Sequence, residues 1–309
     1  MAELLLIPLE TVARRPYVFV FLAVFLLTAW PTLGRTRTLG LLLIGYGVAF
    51  VSEWCSIRTG FPYGHYHYLY EALGPRELVV GGRPPAGSPP GTAAGVPFFD
   101  SLSYSFLAYA AWTTALCLTQ PIHGRGLDLQ LADTPRSRAA LPQWLVATLL
   151  MGLLDVIIDP AAKRGDRWFL GLIYGYRHGG AYFDIPLSNF LGWWLVAGTI
   201  FALFARLERR LARDPRRADA RGCRRVPGRA LIGPGLFLGV AAFNLAVTFW
   251  LGELGLGIAG CFILLLPVAL LGLRLACLPR ASATEVAAHE ACFPELAGTA
   301  PPGPLESRS

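Results

Sequence analysis

Residues 153–194 read LLDVIIDPAAKRGDRWFLGLIYGYRHGGAYFDIPLSNFLGWW, and this stretch decides the fold. It leaves one apolar run and ends inside the next. Asp155 and Asp159 lie four residues apart in what otherwise reads as membrane helix. On a helix that spacing sets both carboxylates on one face, about 40° apart. Pro160 then reads as a helical stop, followed by a basic, Gly- and aromatic-rich connection. Pro186-Leu187-Ser188-Asn189 opens the next apolar run. A carboxylate in lipid costs roughly 2.5–3.5 kcal/mol on insertion scales, so intramembrane acids point to function.

The surrounding chain supports a membrane reading. Its 309 residues are 54% hydrophobic and 15% charged, and mean hydropathy is positive. Apolar runs near the roughly 20 residues needed to cross a bilayer recur along it. The expected fold is all-α, a polytopic transmembrane helical bundle of about seven spans. These cover roughly 16–33, 39–57, 96–118, 142–159, 186–204, 231–250 and 254–275. Residues 1–275 form the transmembrane domain, and 276–309 an Ala/Pro/Glu-rich tail expected to be disordered. Residues 30–34 are a poor signal cleavage site. The Pro/Gly-rich segment 81–94 reads as a flexible surface excursion.

The net charge of +7 is better read as topology than as nucleic-acid binding. Ten arginines fall between Arg206 and Arg229. By the positive-inside rule that segment is cytoplasmic, with the N-terminus outside and the C-terminus inside a bacterial-type plasma membrane. Arg14, Arg15, Lys163, Arg164 and Arg167 then fall outside, against the rule. The six cysteines form no CxxC pair and read as small apolar residues, not a disulfide framework or zinc site. His65-x-His67 alone falls short of a metal ligand set and reads as interfacial packing.

Parity adds an argument independent of orientation. The end of span two, the start of span three, the end of span four and the start of span five lie at one membrane face. Glu53, Asp100, Asp155, Asp159 and Asn189 should therefore share one layer, capped by the loops 58–96 and 160–185. Such a layer is the pattern of a site built between helices.

Several blocks are similar to a known family. They are Glu53, then Thr59-Gly60-Phe61-Pro62-Tyr63-Gly64-x-Tyr66-x-Tyr68, Gly95-Val96-Pro97, Asp155-x-x-x-Asp159-Pro160, and Tyr182-x-x-Ile185-Pro186-Leu187-Ser188-Asn189-Phe190-x-Gly192-Trp193. Across roughly residues 40–205 the chain resembles the integral-membrane carotenoid biosynthesis proteins, which include carotenoid 1,2-hydratases acting on γ-carotene and on bisanhydrobacterioruberin. Asp184 departs from the pattern, standing where a glycine is expected. So do the extra Gly171–Tyr176 stretch and the 81–94 insert.

The resemblance implies a cofactor-free hydratase adding water to the terminal C1–C2 double bond of an acyclic carotenoid end. Its substrate would be a polyene or isoprenoid within the bilayer, among membrane lipids and other carotenoid biosynthesis enzymes. That chemistry needs a proton donor to carbon, shelter for a tertiary cation, and a delivered water. The donor must be neutral at working pH, a state that apolar burial and a neighbouring carboxylate favour. Asp155, one turn deeper than Asp159, is the expected donor. Asp159 or Glu53 is expected to hold the water and accept its proton. Asn189, Trp193, Tyr66, Tyr68 and Phe61 are expected to bind substrate. Each has a plainer reading. Asp159 also fits a helix-end acid, Glu53 an ion pair with Arg58 or Lys163, Asn189 a helix cap, and Trp193 and Trp194 an interfacial belt. The rival functions are an acid-initiated cyclase or isomerase and a non-enzymatic lipid or pigment carrier.

Overall fold

The computed structural model describes residues 9–89, 91–213, 223–277 and 280–297. Its long helices are α1 (Pro16–Leu33), α2 (Arg35–Thr59), α3 (Phe98–Thr119), α4 (Leu141–Ala162), α5 (Leu187–Arg213), α6 (Arg229–Trp250) and α7 (Leu254–Ala276). All are apolar runs interrupted where the backbone can turn. Gly34, at φ 80°, alone separates α1 from α2. Gly60 ends α2 in the left-handed conformation, which costs a residue without Cβ little.

Six of these helices are long and apolar enough to cross a membrane, and the chain is an all-α polytopic bundle. The exception is α3, counted as a span in the sequence. It lies at the centre of the bundle, packed by α1, α2, α4 and α6. Its sheltered position lets it carry Asp100, Ser101, Ser105 and Thr114 among buried aromatics. Around it α2 packs on α3, α3 on α4, α4 on α5, and α5 back on α2.

Three expectations are corrected. Pro160 does not stop α4, which runs to Ala162. So close to the helix end, proline removes one of the last hydrogen bonds without breaking the turn, and the Lys163 N–H still reaches the Asp159 carbonyl at 3.0 Å. The fifth span does not end near Phe204, since α5 continues to Arg213 with Glu208 and Leu211 buried. Finally, residues 280–297, inside the tail expected to be disordered, are ordered. Helix α8 (Ala283–Cys292) starts from a Ser282/Glu285 capping box. It docks through buried His289 and Phe293.

The loops carry short strands. β1 (Tyr66–Tyr68) pairs antiparallel with β6 (Tyr174–Tyr176), joining the two connections that cap the same end of the bundle. β2 (Val79–Val80) pairs with β3 (Val96–Pro97). At the opposite end β4 (Ile122–Arg125) pairs with β5 (Asp128–Leu131). The 81–94 excursion is anchored at its ends. Arg83 Nη1 donates to the Tyr70 carbonyl at 3.2 Å, and Arg58 Nη2 to the Ala94 carbonyl at 2.7 Å.

Candidate functional site

A cavity of about 1030 Å³, counted out to its open mouth, lies beneath the β1–β6 cap. Glu53 from α2, Asp100 and Tyr104 from α3, Asp155 and Asp159 from α4, and Asn189 and Trp193 from α5 all line it. The parity argument is thus met: polar residues far apart in sequence reach one chamber. Its other end is apolar, walled by Phe21 of α1, Phe106 of α3 and Phe243 of α6. Phe21 and Phe243 meet edge-on at 6.1 Å across the seam between α1 and α6.

The acids are held differently. Asp155 is 1% exposed. Its Oδ2 accepts from Asn189 Nδ2 at 3.0 Å, while its Oδ1 finds no hydrogen-bond partner among the described residues. Asp159 is fully engaged. Asn189 Nδ2 donates to it at 2.8 Å, and the Tyr174 and Tyr176 hydroxyls donate to its two oxygens. Burial, and behind it the charge of Asp159, pushes the Tyr174 phenol well above its ordinary range, so it stays an O–H donor. Across the cavity Ser101 Oγ donates to Glu53 Oε2, and Tyr68 donates to Asp100 Oδ2 at 2.7 Å.

Aromatic rings form the adjoining wall. Tyr104 and Trp193 stack at 4.2 Å and 8°, and Tyr63 tilts against both. Trp193 therefore faces inward. Its neighbour Trp194 packs on Gly152, where no Cβ would fit. Gly192 in the same motif lets Pro62 and Tyr63 approach α5, since a Cβ there would meet both.

Most expected site residues converge. Asp155, Asp159, Glu53, Asn189, Trp193 and Tyr66 line the cavity, and Tyr68 touches it through Asp100. Phe61 does not. It is 64% exposed, turned outward where the chain leaves Gly60. Glu53 pairs with neither Arg58 nor Lys163. Arg58 instead stacks on Trp54 at 3.4 Å and donates to backbone carbonyls. Asn189 bridges two carboxylates rather than capping α5. Sequence reasoning missed Tyr104, Tyr174 and Tyr176 as site residues. The last two sit in the stretch that looked like an insertion, and their Tyr-x-Tyr alternation was the available signal. Asp184 has φ 70°, which explains why the family pattern expects glycine there, and Phe183 before it has φ 48°. Among the described residues no group of three or more His, Cys, Asp or Glu is disposed to hold a metal ion.

No curated protein and no solved structure matches the chain. A family model described as carotenoid biosynthesis protein matches residues 15–266, from the start of α1 well into α7. With that match over most of its length, and its apolar helices enclosing an acid-lined cavity, the chain belongs to the carotenoid biosynthesis protein family and is an integral membrane protein of that pathway.

Proposed function

We propose that this protein is a hydratase that adds water across the terminal C1–C2 double bond of an acyclic carotenoid end. The observation that carries the reading is the contrast between its two helical aspartates. Asp155 keeps one carboxyl oxygen unclaimed in an apolar, aromatic-walled cavity, while Asp159 has both oxygens taken. An unclaimed acid oxygen beside a hydrocarbon site suits proton transfer to carbon.

The polyene end lies in the chamber with its chain leaving through the apolar end. Asp155 protonates C2, and the π electrons leave C1 a tertiary cation. The faces of Trp193 and Tyr104 stabilise that cation, by up to about 2 kcal/mol for one desolvated ring. Water adds to C1 and gives up a proton to a carboxylate. Asn189 positions the donor by bridging it to Asp159. The arginine-bearing end of the bundle, opposite the acids, faces the cytoplasm in this reading.

The test is expression in hosts making lycopene or γ-carotene, with chromatography and mass analysis of the pigments. A product heavier by one water is expected. An altered product of unchanged mass would instead make the protein a cyclase or isomerase, and unaltered pigment retained by the purified protein would make it a carrier.

A further inference from the structure

The segments opening α3 and α5 align without a gap. Val96-Pro97-Phe98-Phe99-Asp100-x-Leu102-x-Tyr104 matches Ile185-Pro186-Leu187-Ser188-Asn189-x-Leu191-x-Trp193. In both, a β-branched residue and a proline precede the helix. The third helical residue is Asp100 in one and Asn189 in the other. The seventh is Tyr104 or Trp193, and these two equivalent rings stack on each other.

The correspondence extends to the rest of each helix pair. Glu53 and Asp155 both lie just under two turns before the end of their helices, α2 and α4. Both connections contain a Tyr-x-Tyr strand. The two strands pair as Tyr66 with Tyr176, His67 with Gly175 and Tyr68 with Tyr174, a register symmetric about its centre. Each strand's tyrosines hold a carboxylate of their own helix pair, Tyr68 holding Asp100 and Tyr174 holding Asp159, but at non-equivalent positions: here the two halves have diverged. The packing order α2–α3–α4–α5–α2 is likewise unchanged when the pairs are exchanged. A local two-fold axis through the His67–Gly175 pair and the Tyr104–Trp193 stack would account for the helix openings, the strand register and the packing order together.

We infer that α2–α3 and α4–α5 are two copies of one half-site, and that the first copy, Glu53 with Asp100, takes the proton of the attacking water opposite the donor Asp155. The assignment rests on the hydration reading. In the first step the Asp155 O–H bond breaks and a C–H bond forms from the alkene π pair. A water lone pair then forms the C–O bond, and the oxonium proton passes to the Glu53 carboxylate. Glu53 loses it to solvent and Asp155 regains one, so the net change is alkene plus water to alcohol, without redox. Asp100, fixed by Tyr68, shares the cavity wall with Glu53 and orients the water.

The test uses the full-length protein in membranes at matched levels, with lycopene and γ-carotene in deuterated water. Glu53→Gln is expected to lower the hydrated product by at least roughly 10²-fold. It should still place deuterium in recovered or isomerised polyene, because carbon protonation continues and the cation loses a proton instead. Asp100→Asn should give the same signature more weakly, which guards against a fold-specific failure of the first variant. Asp155→Asn should stop both hydration and labelling. Full hydration by Glu53→Gln and Asp100→Asn, or loss of labelling in both, would overturn the half-site assignment while leaving hydration intact. Wild type that hydrates neither polyene overturns the hydration reading itself.

Discussion

Two clusters of buried charge sit at opposite ends of this bundle, and they are built in opposite ways. At the cavity end Glu53, Asp100, Asp155 and Asp159 make no ion pair among the described residues, and their partners are hydroxyls and one amide. At the other end the acids are matched to cations. Arg37 meets Glu208 at 2.9 Å, Arg138 meets Asp133 at 2.6 Å, and Arg229 meets Asp133 at 3.0 Å. His289 of α8 reaches the Asp133 carbonyl at 2.7 Å, and Phe293 lies under the Arg37 and Arg138 guanidinium groups. Burial alone would raise the Asp133 carboxyl, but Arg138 and Arg229 outweigh it and hold it well below the usual range. Matched charges tie elements together, whereas unmatched acids in an apolar chamber remain free to exchange protons.

The sharpest way to break this comparison is Asp155→Asn. The substitution is nearly isosteric and replaces one neutral group, the protonated acid, with another, so insertion and stability should hold. Conversion should fall by roughly 10²–10⁴-fold, since an amide cannot give carbon a carboxyl proton. Assays at matched membrane levels check it, and wild-type rates would move the donor role to Glu53.

Asp133→Asn should do the reverse. It leaves two buried arginines short of a counter-ion, at a cost of roughly 3–5 kcal/mol. Thermal unfolding in detergent should show the loss, with activity per folded molecule unchanged. Lost turnover at unchanged stability would erase the distinction between the two ends. The sign of the pH dependence follows from the lowered carboxyl. Its stabilisation is complete above the unfolded value of about 4 and disappears as pH falls through the lower folded value. Wild type should therefore lose stability on acidification below about pH 4, and Asp133→Asn should lose less.

Smaller effects sharpen the cavity side. Asp184→Gly should stabilise the cap by up to about 1 kcal/mol, because glycine occupies φ 70° without strain. A fall in melting temperature would show that the aspartate side chain matters more than its backbone. Shortening the excursion within residues 84–92, while keeping Arg83 and Gly95-Val96-Pro97, should leave conversion unchanged. Activity lost despite normal insertion would make that segment part of the site.

Much of the cavity end was legible in the sequence, because helix parity alone carried Glu53, Asp100, Asp155 and Asn189 to one layer. The first span was legible to the residue, since Pro16 and Gly34 bracket it. The matched cluster was not, because its members lie at 37, 133, 138, 208, 229 and 289, and nothing local distinguishes a buried arginine from a topogenic one. For the same reason the tail reads as disordered: its composition is rich in Ala, Pro and Glu, and only the buried His289 and Phe293 reveal a docking site. Tyr104 was hidden in α3 among other aromatics, and only the stack with Trp193 singles it out.

The polarity of α3 also bears on how the protein is made. A helix carrying Asp100, several serines and threonines gains little by meeting lipid alone. Its threonines return hydrogen bonds to their own turns, as Thr113 and Thr114 do, but Asp100 needs Tyr68 from the preceding loop. The expected consequence is that α3 enters the membrane in the shelter of α1 and α2, its seat completed when α4 and α6 pack on it.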